Sequence, residues 1–142
     1  MKRICMSVGL LLVASSLQAA NGDDPAKPVV VTPVLSTSVT SSGQPIALPT
    51  KDATVAVSTY EIAQGATLPE HKHPYPRYGY VLAGEIRITN IETGKSETYK
   101  TGDFIIEAIG QWHQAANIGD RPVKLLVIDQ VEGAGSNVVI RK

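Results

Sequence analysis

At 142 residues, with 43% hydrophobic content, the chain has the size and composition of one globular domain with a single buried core, and two domains would not fit comfortably. Thirteen Lys and Arg balance thirteen Asp and Glu. With no basic cluster anywhere, a nucleic-acid stripe is excluded, and a small molecule or another protein remains as partner.

Residues 1–20, MKRICMSVGLLLVASSLQAA, open with Lys2 and Arg3, continue through an apolar run from Val8 to Ala14 and end on small residues at Ala19 and Ala20. This is the pattern of a cleaved signal peptide, which places the protein in the periplasm or outside the cell. The run is shorter than the roughly 20 residues that span a bilayer, so no stable membrane anchor is expected. Cys5, the one cysteine, precedes the apolar run, so the mature chain would lack disulfides and thiolate ligands. Without Lys2 and Arg3 it would be mildly acidic.

Residues 21–50 are rich in Pro, Ser, Thr and Val. Prolines cannot donate to a central ladder, so this stretch reads as a flexible leader with at most an edge strand around Val29 to Leu35.

From Lys51 to Lys142 the texture changes to short β-branched runs separated by Gly, Asn and Asp. Strands are predicted over Thr54 to Ala63, Tyr78 to Leu82, Glu85 to Asn90, Ser96 to Lys100, Phe104 to Glu107, Gln111 to Asn117, Val123 to Val131 and Val138 to Ile140. Turns fall at Ala83-Gly84, Thr93-Gly94, Thr101-Gly102-Asp103 and Gly119-Asp120-Arg121-Pro122. The fold class is all-β, an antiparallel barrel or sandwich.

The chain has three histidines, two of them at His71 and His73. On an extended segment the side-chain period is two, so both rings project to one face, where they can share an ion, while Lys72 points away. The third ring of such a centre can come only from His113.

These residues fall within two gapped motifs. Gly65 to Gly84 follows G-x5-H-x-H-x3-E-x6-G except that Arg77 stands at the glutamate position, and Gly102 to Asn117 follows G-x5-P-x-G-x2-H-x3-N except that Ala108 replaces proline. In both, the chain resembles the cupin superfamily, over roughly its C-terminal two-thirds. The resemblance implies a small jelly-roll-like antiparallel β-barrel with one divalent metal ion held by His71, His73 and His113. It also implies a homodimer, since cupins commonly pair through edge strands.

Arg77 is the departure that matters, because a guanidinium stays protonated and cannot coordinate a cation. Three readings stand. In the first, three imidazoles hold the metal and Arg77 binds the anionic group of a small-molecule substrate, a logic similar to that of thiol dioxygenases. In the second, Glu107 or Tyr78 substitutes as ligand while Arg77 turns away to pair with an acid. In the third, metal binding is weakened and the domain is a non-catalytic periplasmic ligand-binding or sensing cupin. Three imidazoles suit Fe, Mn, Ni, Cu or Zn alike, and an oxygen-using enzyme follows if the metal is iron. Trp112, Tyr75, Tyr80 and Phe104 read as ordinary strand aromatics, with pocket lining as the alternative, and Asn117 as a residue that fixes backbone near the site.

Overall fold

The computed structural model describes residues 29–142, so the signal-peptide reading of residues 1–20 lies outside the described residues. Residues 32–142 form one compact unit.

Among the described residues the alternating apolar runs give nine strands: β1 (Ala53–Ile62), β2 (His71–Lys72), β3 (Arg77–Ala83), β4 (Glu85–Asn90), β5 (Ser96–Lys100), β6 (Phe104–Ile106), β7 (His113–Asn117), β8 (Val123–Glu132) and β9 (Val139–Ile140). They build a four-stranded sheet, β1-β8-β3-β6, and a five-stranded sheet, β5-β4-β7-β2-β9, with every neighbouring pair antiparallel. No helix among the described residues is long and apolar enough to cross a membrane.

Period-two alternation decides what lies inside. Val123, Leu125 and Val127 of β8 face the interior, as does Val81 of β3, and they meet Ile62, Ile86, Ile105 and Ala115 in one core between the sheets, while Val131 further along β8 is buried outside that cluster. Two of the β3 positions before Val81 on the same face are Gly79 and Arg77, so the inward row of this strand ends on a charge. The turn from β3 to β4 requires its glycine: Gly84 has φ +85°, and a Cβ there would lie 2.8 Å from the carbonyl oxygen of Pro122.

Of the two alternatives for the leader, the edge strand over Val29 to Leu35 does not form: residues 29–36 carry no strand. Prolines at 28 and 33 leave that stretch without a continuous set of donors. Order begins later, where Val39 bridges Pro45 and the turn between them docks on the β6–β7 loop. The long strand β1 pairs with β8 along one side only and exposes Val55 and Val57.

Candidate metal centre

The site forms where the two sheets close on each other above the core. His71 of β2 and His113 of β7 are direct antiparallel partners, which brings their side chains together across the ladder. His73 follows two residues after His71 on the same face and bridges Ile109. All three rings are buried, and their centroids lie 4.5 to 5.0 Å apart.

The opposite sheet supplies a carboxylate. Ile105 of β6 faces the core, so Glu107, two residues on, faces the same interior. Its Oε2 lies 3.1 Å from His73 Nε2 and 3.0 Å from His113 Nε2. Donor atoms of His71, His73, Glu107 and His113 all fall within 4.8 Å of one another.

The outer nitrogens of the rings are committed. His71 Nδ1 lies 2.8 Å from the carbonyl oxygen of Pro69, His73 Nδ1 2.6 Å from that of Asn137, and His113 Nδ1 2.9 Å from that of Gln111. A carbonyl oxygen only accepts, so each Nδ1 carries the hydrogen and each Nε2 of a neutral ring presents its lone pair inward. His113 Nε2 is the telling atom. It is buried, and although 3.0 Å from Glu107 it makes no properly directed hydrogen bond there or to any other of the described residues. A divalent cation that accepts a donor from each of the four side chains would satisfy it, and imidazole with carboxylate is a donor set that such ions take.

Electrostatics agree with that donor set. Burial alone would raise the Glu107 carboxyl, but the contacts with His113 and His73 overcome it and hold the group far below the usual carboxylate range. Burial lowers the pKa of the His71 imidazole, with the bond to Pro69 opposing, a shift toward the neutral form that a ligand needs. For His113, burial is outweighed by Glu107, and without a cation the ring holds its proton more tightly than a free imidazole.

Arg77 does face the barrel interior, but its charge is already matched. Asp129 is its direct partner on β8, with Nε donating to Oδ1 at 2.7 Å and Nη2 to Oδ2 at 2.8 Å. Burial acts against the guanidinium, and the bond to Asp129 with the nearby Glu107 charge more than offsets it. The reading in which Arg77 binds a substrate anion is therefore corrected: the preferred partner of a buried guanidinium is a bidentate carboxylate, and this chain supplies its own. Tyr78 is corrected too. It alternates with Arg77 to the outer face of β3, where its hydroxyl donates to Gln130 at 2.8 Å, away from the imidazoles.

Of the readings of the departure at position 77, the geometry is that of the second, with Glu107 as the carboxylate. The exchange is local. Tyr78 pairs with Ile106, so positions 77 and 107 are cross-strand neighbours, joined by Glu107 N–H donating to the Arg77 carbonyl at 3.0 Å. Asn117 is structural as expected, its amide donating to the carbonyls of Ile62, Ala63 and Arg121. Trp112 lies under Lys72 and Arg141, and Tyr80 and Phe104 line an outer groove with Val34 and Leu35.

Two residues escaped the sequence reading. Asp129 had a signal, being the charged member of the inward row Val123, Leu125, Val127 and Val131. Asn137 had none; its side chain ties Tyr75 and Asp129 together while its carbonyl anchors His73.

With this geometry established, comparison places the chain. Residues 58–129 match the family described as Cupin domain. The chain belongs to the cupin family. Among solved structures this cupin is similar to an oxalate oxidase, with TM-score 0.52 and 24% identity over 61% of this chain and 45% of that one. It is also similar to the oxalate decarboxylase of Bacillus subtilis, studied for its Mn(II) centres, with TM-score 0.52 and 27% identity over 61% of this chain and 24% of that one. A third similarity is to the DMSP lyase of Ruegeria pomeroyi, with TM-score 0.53 and 26% identity over 69% of this cupin and 46% of the lyase. The cupin thus spans less than half the length of each of these three proteins. No curated protein matches it.

Proposed function

We propose that this cupin is a metal-dependent small-molecule enzyme that holds one divalent transition-metal ion through His71, His73, His113 and Glu107. The observation that carries the reading is the set of three Nδ1–carbonyl bonds, which turns all three Nε2 atoms toward one carboxylate. Four protein donors leave two positions of a six-coordinate ion for substrate or water, and a redox-active ion there would supply oxidative chemistry. Similarity to an oxalate oxidase and to an oxalate decarboxylase with Mn(II) centres makes manganese the first ion to test and small carboxylates the first substrates.

A pocket of about 280 Å³, just below the usual range for ligand sites, is lined in part by Glu107 and His113. Elemental analysis of protein purified without chelators should give one equivalent of metal per chain, and His73→Ala and His113→Ala should each lose it. Protein that remains metal-free after incubation with Mn(II), Fe(II) and Zn(II) would end this reading. Metal retained without turnover of any small carboxylate would move the protein to the ligand-binding role.

A further inference from the structure

The pocket that reaches Glu107 and His113 has one wall from outside the residues matched by the family. Ser41, Ser42 and Gly43 supply that part of the lining, together with Asn90, Thr93 and Lys95 of the β4–β5 hairpin. These three residues are the tip of the turn between Val39 and Pro45, and several bonds fix it. Thr40 is buried, its N–H donates to the carbonyl of Gln44 at 2.8 Å, and Gly43 N–H donates back to the Thr40 carbonyl at 2.9 Å.

The turn is also clamped to the loop that carries the carboxylate. Gln44 Nε2 donates to the Ile109 carbonyl at 2.9 Å, and Ile109 N–H donates to Gln44 Oε1 at 3.0 Å. Ser41 N–H donates to the Ile106 carbonyl at 2.8 Å. The turn therefore grips the chain on both sides of Glu107. The paired amide clamp holds the turn on the scaffold in the way that binding loops are held.

We propose that the Thr40–Gln44 turn is the specificity wall of the site and that the ligand it encloses is a small polar carboxylate. This rests on the metal-dependent reading above. The inner end of the pocket would be positive once a divalent ion is bound by one carboxylate and three neutral rings. Among the other lining residues Lys95 adds a positive charge and Glu97, which accepts from the Tyr99 hydroxyl, a negative one, so the bound ion sets the sign of the inner end and Lys95 is the one cation of the lining outside it. The hydroxyls of Ser41 and Thr93 offer neutral donors, whereas the Ser42 hydroxyl already donates to Gln44 at 2.8 Å and the Asn90 amide to Gln111 at 2.7 Å, and Ile88, Ala108 and Tyr99 are the apolar and aromatic lining. Such a lining fits a short acid with polar substituents better than an extended apolar chain.

The test uses the full chain loaded with Mn(II) and oxalate as probe, with binding followed by calorimetry and by the Mn(II) EPR signal. Gln44→Ala, which breaks both bonds to Ile109, and Lys95→Gln, on the exposed hairpin, should each retain one equivalent of Mn(II) yet bind oxalate about tenfold more weakly. Parent-like oxalate affinity in both variants would overturn the wall while leaving the metal reading intact. A metal-loaded parent that binds no oxalate would overturn the carboxylate assignment. A parent that takes up no Mn(II) would end the metal reading, and the wall with it.

Discussion

Arg77, Asp129 and Asn137 form one largely buried polar group, and the three histidines with Glu107 form another beside it, joined where the Asn137 carbonyl meets the His73 ring. In the first group opposite charges are paired at 2.7 and 2.8 Å, and the Asn137 amide donates to the same carboxylate at 2.7 Å. In the second, one carboxylate oxygen serves two imidazoles, and His113 Nε2 is left without a directed partner. Burial of polar atoms is costly in both places, yet only the first group is complete within the protein. A closed group of this kind holds the strands, whereas the incomplete one is shaped for something that arrives from outside.

The comparison can be broken most forcefully at its closed member. Asp129→Ala leaves a guanidinium buried beside the core without its partner, and unfolding in urea should show a loss of about 3–5 kcal/mol. The double variant Arg77→Met with Asp129→Leu should recover most of that loss, because it removes both charges. A single variant within about 0.5 kcal/mol of the parent would mean that the pair is not the closed group described.

The link between the two groups offers a smaller effect. Asn137→Ala removes the side chain that fixes the segment whose carbonyl anchors His73, and affinity for the metal should fall about 10–100-fold in competition with a chelating dye. Unchanged affinity would show that the His73 ring is oriented without that segment.

The smallest effect sharpens the open member. In chelator-treated protein His113 has its pKa raised above 6.5 by Glu107, so its contribution to stability is fully present below that value and is lost as pH rises through the raised one. Glu107 is depressed from 4.5, so its contribution is present above that value and lost only as pH falls toward the depressed one. Metal-free protein should therefore draw most from this pair in mildly acidic solution. Metal-loaded protein should show the reverse, because protons compete with the ion for the imidazoles. Melting curves at about pH 5, 7 and 9, with and without chelator, read the two slopes, and parallel slopes would contradict the assignment.

The sequence made much of this visible, for definite reasons. Strands β4 and β5 lie within the residues expected from their β-branched alternation and flanking turns. The His71–His73 pair and its meeting with His113 followed from period two and from the lack of any other histidine. The partner of Arg77 was harder to see, because it depends on register: only the pairing of β3 with β8 sets Asp129 opposite Arg77, and no local pattern encodes that distance. The same holds for Glu107, whose inward facing could be read from Ile105 but whose reach to the rings required both sheets. The turn at Thr40–Gln44 was hidden by composition, since a stretch rich in Ser, Thr and Pro reads as solvated until its amide clamp on Ile109 is known.

All three imidazoles are aligned by main-chain oxygens of Pro69, Gln111 and Asn137. Ring orientation is thus inherited from the backbone, and replacement of any neighbouring side chain leaves the oxygen itself in the chain. Glu107, by contrast, contributes through a side chain alone. Position 107 is accordingly the adjustable element of the centre, where exchange of one carboxylate for an amide or a shorter acid would retune ionic preference over an imidazole frame that stays in place.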